Sequence, residues 1–272
     1  MDLRLDDDGW QCIRQLTVRA GETTISLLLD DLDPYRFPEA HATGRLDGVA
    51  VERWRRALVD AWTLLASHHP ETAEEIAAGV TVLVPLHAAP NHDVSATSRH
   101  CFGAVALSQP AHGSLFAGAL AHERQHVKLS ALLDLVPLMS DPGWAHWYAP
   151  WRDDPRSLAA LLQGAYAHLG VAGFWRRQRH LGHNEPSGRA HVEFVRWRDE
   201  TRDVVSTLLA SGALTPLGVR FVDGMAATLD AWREEPVPTA AEQQARAVAH
   251  RHRLAWQLRN GRIGDETKDH DE

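Results

Sequence analysis

Residues 114–137 read SLFAGALAHERQHVKLSALLDLVP, and this stretch decides how the rest of the chain is interpreted. Apolar side chains recur along it every three or four positions, which predicts one long amphipathic helix. His122 and His126 are four residues apart, so both rings face the same side of that helix, one turn from each other. We expect this side to be buried, because its other members are apolar: Leu115, Ala119, Leu129, Leu133 and Val136.

The same helix carries an HExxH motif, His122-Glu123-Arg124-Gln125-His126. Two buried neutral imidazoles each need polar partners, and one shared metal ion satisfies both rings at once. We therefore predict a metal site here; two core histidines with separate hydrogen bonds are the alternative. Glu123 lies beside the histidine stripe. It would be the general base of a zinc peptidase, or a partner that orients a metal ligand in another enzyme.

A catalytic metal ion needs a third protein ligand, and the motif does not supply one. Leu129 and Leu132 stand where the metzincin extension requires glycine and histidine, which excludes that class. A gluzincin would use a glutamate on a following helix. Glu185 precedes Pro186 and is a poor match, and Glu193 and Glu200 are possible but carry no motif.

His168 is the predicted third ligand. A helix over 155–179, which we expect to begin with Asp154 as N-cap and Pro155 as first residue, places His168 on an apolar stripe. A core histidine bonded to a backbone carbonyl is the alternative. Arg152 and Arg156 precede this helix and are candidates for binding a carboxylate; solvated arginines are the alternative.

Outward from these helices, the chain reads as an α+β protein. Alternating residues over 10–30 predict a β-hairpin, and 80–86 and 101–107 predict two more strands. With the two helices already described, the predicted helices extend over 48–66, 114–137, 155–179, 188–211, 216–234 and 239–258. We predict one mostly helical domain over 1–258, with a small N-terminal sheet and a zincin-like core around the HExxH helix. Residues 259–272 are predicted to form a polar tail.

Composition limits the function classes. The 272 residues are 44% hydrophobic and 24% charged, with a formal net charge of -8, which is typical of a globular protein and disfavours nucleic-acid binding. Two distant cysteines suggest a reducing compartment, and no signal peptide is recognisable. No apolar run approaches the ~18 residues of a membrane span. A cytoplasmic protein is the expectation.

Several segments resemble one known family, the HExxH-type 2-oxoglutarate-dependent peptide β-hydroxylases of ribosomal peptide natural-product pathways. The segments are DLDPYR (31–36), SATSR (95–99), FGAVALS (102–108), HERQHVKLSALLDLVPL (122–138), YAPWR (148–152), LLQGAYAHL (161–169), LTPLG (214–218) and HRLAW (252–256). Together they extend over nearly the whole chain, and they are more specific than HExxH alone.

The resemblance implies an Fe(II)- and 2-oxoglutarate-dependent dioxygenase that uses O2 to hydroxylate Cβ of a residue in a precursor peptide. It implies His122 and His126 as iron ligands. Some relatives carry a histidine where this chain has Gln163, so His168 as the third ligand rests on the helical pattern and not on the resemblance. Arg152 or Arg156 would bind the distal carboxylate of 2-oxoglutarate, with Arg99 as a further candidate. A radical-SAM maturase of the same pathway is an implied partner.

Two other functions stay open at this level. A zinc peptidase would bind Zn(II) and use Glu123 as its base. A non-enzymatic module that binds a precursor peptide would have a vestigial or structural metal, closed by four protein ligands. We also expect the strand over 101–107 to pair with an extended peptide.

Overall fold

The computed structural model describes residues 10–37, 41–87, 94–141, 147–181 and 188–261. Glu185 and residues 262–272 of the predicted tail lie outside these ranges. The predicted fold class is confirmed: the protein is α+β and 59% helical, with a small mixed sheet near the N-terminus. The chain divides into two compact units, Met1–Ala131 and Leu132–Glu272. The single domain over 1–258 stays a prediction.

Among its described residues, the first unit holds the sheet and three helices. Its elements are β1 (Arg14–Ala20), β2 (Thr23–Leu29), α1 (Gly48–His68), α2 (Pro70–Gly79), β3 (Val82–Leu86), β4 (Ser95–Thr97), β5 (Ala104–Ser108) and α3 (Gly113–Leu135), whose last turn belongs to the second unit. The hairpin and the first helix were expected. Helix α2 and strand β4 were not, because α2 begins directly after α1 and β4 has only three residues.

The five strands form one sheet in the order β1-β2-β3-β5-β4. The two central pairs, β2–β3 and β3–β5, are parallel, and the two outer pairs are antiparallel. The expectation that the strand over 101–107 pairs with a peptide is therefore wrong. That strand is β5, all five of its residues are buried, and β3 and β4 already pair with its two sides. Strand β4 is an edge strand instead.

Helix α3 packs in the first unit through aromatic and backbone contacts with α1. The ring of Phe116 meets Trp54 edge to face at 5.8 Å between centroids. Gly113 lies against the backbone at Asp60, where an added Cβ would come within 2.5 Å of the Asp60 Cβ. Any larger residue at Gly113 would push the start of α3 away from α1.

The buried face of α3 is not the predicted one. Phe116, Leu120, Glu123 and Val127 are buried, whereas His122 keeps a fifth of its side chain exposed. Both histidines are half-buried, so the predicted stripe is buried only in part, at Leu129. The helix is apolar on two adjacent stripes, so its periodicity does not decide which stripe packs inward; contact with α1 and the sheet decides it.

The second unit contains four helices among its described residues: α4 (Leu158–Gln178), α5 (Arg189–Ala210), α6 (Pro216–Arg233) and α7 (Thr239–Asn260). Helix α7 extends two residues into the predicted tail. The expected start of α4 at Asp154 and Pro155 is wrong, because Arg156 pairs with Trp147 in an isolated β-bridge and Ser157 caps the helix through the N–H of Ala160.

The predicted buried stripe of α4 is confirmed. Its members are Leu158, Leu161, Ala165, His168, Ala172 and Trp175, and all six are buried. Among the described residues, no helix combines the length and the hydropathy that a membrane crossing needs.

Candidate metal centre

His122 and His126 are paired on the surface of α3. Their Nε2 atoms are 3.2 Å apart, and their rings meet at 71° with 4.8 Å between centroids. Without a metal, this distance suits a hydrogen bond from the N–H of one neutral ring to the lone pair of the other. The local cause is the helix itself, which places side chains at i and i+4 next to each other.

The pair also has the spacing of two ligands on one metal ion. With metal–nitrogen bonds of about 2.1 Å, two imidazole nitrogens lie about 3.0 Å apart at a right angle and about 3.4 Å apart at the tetrahedral angle. The observed 3.2 Å falls between these values. The distance between the two Nε2 atoms is therefore compatible with a shared metal ion.

Glu123 points away from solvent beside this pair. It is 1% exposed, its Oε1 is 3.8 Å from Nε2 of His122, and the hydroxyl groups of Ser95 and Thr97 on β4 hydrogen-bond its carboxylate. Burial raises its pKa, and the charge of His126 and the two hydroxyl bonds oppose that rise only partly. Its Oε2 is buried and has no hydrogen-bond partner among the described residues. A buried oxygen in this state suits a group that arrives with a donor.

Helix α2 holds the outer side of α3 by ion pairs. Glu75 accepts hydrogen bonds from Arg124 and, at 2.9 Å, from Nζ of Lys128. Both cations lie about 200° around the helix from the histidines, on its opposite side. The ion pairs with Glu75 and the hydrogen bonds that Glu123 accepts from β4 act on two sides of α3. Together they fix the rotation of the helix about its axis.

His168 lies in the second unit, in a stack of aromatic rings. The ring of Trp151 is nearly parallel to it, at 13° and 4.4 Å, and Trp197 contacts it at 44° and 4.4 Å. Gly164 makes this stack possible, because a Cβ there would lie 2.2 Å from the Trp151 ring. His168 is thus held in one plane by its two neighbours.

The hydrogen bond of His168 determines its tautomer. Its Nδ1 is 2.8 Å from the carbonyl oxygen of Gly164, and a carbonyl only accepts, so Nδ1 carries the proton and donates. In the neutral ring the lone pair is then on Nε2, as metal-binding histidines require. A core histidine would make the same bond. Within the described part of the chain, no three His, Cys, Asp or Glu side chains form a group able to hold one ion. His168 as third ligand stays a prediction.

The other acidic candidates have partners of their own. Glu193 accepts from Nε1 of Trp197 at 2.9 Å, and the buried Glu200 accepts from Nε of Arg196 at 2.8 Å. Burial raises the pKa of Glu200, and Arg196 opposes that rise. Both glutamates are thus parts of hydrogen-bonded side-chain pairs on α5.

The predicted carboxylate-binding arginines lie on the surface. Arg152 and Arg156 both donate to Asp154, each at 2.9 Å, and both are at least one-third exposed. Arg99 is exposed in the turn after β4. The structure brings His122, His126 and Glu123 together, and it places Arg152, Arg156 and His168 in the other unit.

Sequence reasoning missed two kinds of residue at these sites. Ser95 and Thr97 were noticed only as part of a matching segment, and nothing local links them to Glu123. Trp151 and Trp197 were likewise not connected with His168, although a glycine inside a helix, here Gly164, indicates that another group packs closely against it. No protein-family model matches the sequence, and neither does any curated protein.

Proposed function

We propose that this protein is an Fe(II)- and 2-oxoglutarate-dependent dioxygenase that hydroxylates Cβ of a residue in a ribosomally made precursor peptide. One observation carries the metal part of the proposal: the Nε2 atoms of His122 and His126 are 3.2 Å apart, the spacing of two ligands on one ion. The choice of reaction rests on the sequence segments that resemble the peptide β-hydroxylases. The zincin-like core around α3 belongs to the same proposal.

The chain's own residues have distinct roles in this proposal. His122 and His126 hold the ion from α3, and His168 is the third ligand, its tautomer set by the carbonyl of Gly164. When bound, iron(II) with 2-oxoglutarate and O2 supplies the oxidising chemistry that protein side chains lack. Glu123 orients polar groups beside the histidine pair through its unpartnered oxygen.

Binding of 2-oxoglutarate needs a cation for its distal carboxylate, because a carboxylate leaving water requires charge-assisted hydrogen bonds. Arg152, Arg156 and Arg99 are the candidates. Use of Arg152 or Arg156 requires the ligand to compete with Asp154, which now accepts from both. An Asp154→Asn variant should therefore change the affinity for 2-oxoglutarate if either arginine binds it.

A zinc peptidase is the second candidate, and one observation favours it. Glu123 lies beside the histidine pair, with Oε1 3.8 Å from Nε2 of His122, and its buried Oε2 has no partner among the described residues, as suits a general base that accepts a proton from water. The chemistry of the ligands does not separate the two functions, since zinc and iron both accept imidazole.

The deciding experiment incubates the protein with the precursor peptide encoded beside its gene and measures intact mass. With Fe(II), 2-oxoglutarate and O2, we expect a gain of one oxygen atom per peptide and an equal amount of succinate. The His126→Ala variant should produce neither. If the wild type instead forms shortened peptides, only when Zn(II) is present, and the Glu123→Gln variant forms none, the protein is a peptidase.

An unchanged peptide mass under both conditions would overturn the dioxygenase proposal and favour a module that only binds peptide. A radical-SAM maturase is the proposed partner in the same pathway, and the cytoplasm is the proposed location, where both enzymes would meet the newly made peptide.

A further inference from the structure

After β2 leaves the sheet, a short segment of the chain returns and pairs with the end of β3. The pairing is antiparallel and centres on an isolated bridge between Ala42 and Leu86. The residues next to this bridge are His41 and His87, and the N–H of His87 donates to the carbonyl oxygen of His41 at 2.8 Å. The two histidines are therefore directly opposite each other across an antiparallel pair.

Both histidine side chains lie on the outer face of this pairing. Leu86 is buried in an apolar cluster that includes Phe37, and Ala42 packs against the same cluster. Side chains alternate between the two faces along an extended chain. His41 and His87 are one position beyond the bridge on each segment, so they point away from the cluster, and both are exposed.

This arrangement brings two imidazole rings within reach of one ion. Directly opposed residues in an antiparallel pair have Cβ atoms about 4.5–5.5 Å apart. Two rings at that spacing can turn until one nitrogen of each lies about 2.1 Å from the same metal ion. The backbone hydrogen bond between His41 and His87 fixes the positions of the two Cβ atoms. Metal binding therefore requires only rotation of two exposed side chains.

The chemistry of the ligands favours a divalent transition-metal ion. Imidazole suits Zn(II), Ni(II) and Cu(II), and among these Cu(II) binds a given set of nitrogen ligands most tightly. The formal net charge of -8 attracts cations to the protein surface. Two protein ligands leave the remaining coordination positions to water, so an ion bound here would stay exposed and exchangeable.

We propose that His41 and His87 form a second metal site, which binds one divalent transition-metal ion at the protein surface through one nitrogen of each ring. The site shares no residue with the histidine pair on α3, and it does not rest on the proposed function. Two separately solvated histidines are the alternative. They would have the same backbone pairing but no coupling between the rings in metal binding.

The test measures Cu(II) binding to full-length protein in which His122→Ala and His126→Ala have removed the pair on α3. Isothermal titration gives the affinity, and the EPR spectrum of the frozen sample gives the number of nitrogen ligands. We expect one Cu(II) ion bound by two imidazole nitrogens. His41→Ala and His87→Ala should each weaken this binding by more than about tenfold, because each removes one of two direct ligands.

A double-mutant cycle separates one shared ion from two independent histidines. If the ion needs both rings, the combination of His41→Ala with His87→Ala should bind Cu(II) hardly more weakly than either variant alone. His100→Ala is the matched control, because it removes an exposed histidine from the turn between β4 and β5. This control should keep the parent affinity.

Unchanged affinity in either single variant, or effects of the two that simply add, would overturn the site. If a variant does not fold, carbethoxylation of the parent protein with and without Zn(II), mapped by mass spectrometry, decides instead. Protection of His41 and His87 at the same Zn(II) concentration supports the shared ion, and protection of one or neither overturns it. These measurements use no precursor peptide, so their outcome is separate from that of the proposed dioxygenase.

Discussion

At the scale of single residues, the histidine pair has two explanations with nearly the same geometry. A hydrogen bond between the rings and a shared metal ion both place the Nε2 atoms about 3 Å apart. In the hydrogen bond, the lone pair of one ring points to the N–H of the other ring. With a shared metal ion, both lone pairs point to one common position. A metal titration distinguishes them because only the second arrangement gives an affinity that depends on both rings.

We therefore predict that His122→Ala and His126→Ala each weaken Co(II) or Zn(II) binding by more than ~10–100-fold. That range is the cost of losing a residue that only hydrogen-bonds a metal ligand. Isothermal titration of chelator-treated protein measures this. His168→Ala should lower the affinity as well if its Nε2 is the third ligand. His250→Ala, an exposed histidine on α7, is the control. Unchanged affinity in both α3 variants would contradict a metal on this pair.

At the scale of elements, close backbone approach governs how helices are placed. Gly218 in the first turn of α6 lies against the backbone of Leu138, and a Cβ there would lie only 1.8 Å from the carbonyl oxygen of Leu138. Thr215 caps the same turn by accepting from the N–H of Gly218 at 3.0 Å. Backbone atoms cannot move aside as a flexible side chain can, so this contact requires glycine.

Gly218→Ala should therefore destabilise the protein by about 1–3 kcal/mol or more, measured as the free energy of unfolding in urea. Gly224→Ala is the matched control in the same helix, since no heavy atom lies within 4 Å of its added Cβ. That change should be neutral or stabilising by roughly 0.5–1 kcal/mol, because alanine favours a helix over glycine. Equal effects of the two substitutions would contradict the packing argument.

At the scale of the whole molecule, buried ionisable groups make stability depend on pH. Nδ1 of His252 and the Tyr148 hydroxyl are hydrogen-bonded at 2.9 Å, and burial lowers the pKa of His252, with Arg196 adding to the effect. Burial raises the pKa of Tyr148 to about 12, so the phenol stays protonated. The folded state thus holds His252 neutral at a pH where the unfolded chain begins to protonate it.

A lowered folded pKa means that unfolding takes up a proton below the ordinary histidine pKa of 6.5. The stabilisation from neutral His252 is therefore present above that pH and is lost as the pH falls below it toward the folded pKa. We predict that acidification from about pH 7.5 to about pH 5.5 lowers the free energy of unfolding less in His252→Asn than in the wild type.

Urea unfolding at both pH values checks this prediction. His250→Asn is the control, because it is exposed and only two residues away on α7. The control should keep the wild-type difference between the two pH values. If His252→Asn keeps it too, another group accounts for the pH dependence.

Much of the secondary structure follows from the sequence by itself. The long helices α1 and α3 to α7 have apolar periodicity over many turns, and the spacing of His122 and His126 alone predicts that their rings are neighbours. These features are local, since a helix relates residues only three or four positions apart. For the same reason the six-residue stripe of α4 was predicted correctly.

The tertiary structure decided the rest. Two apolar stripes on α3 were equally available, and only packing against α1 and the sheet buried the one with Phe116, Leu120 and Glu123. Sheet order made β4 the edge strand and brought Ser95 and Thr97 to Glu123, and helix packing placed Trp151 and Trp197 around His168. Burial and hydrogen-bond partners depend on residues far apart in the chain, and periodicity along one element carries no information about them.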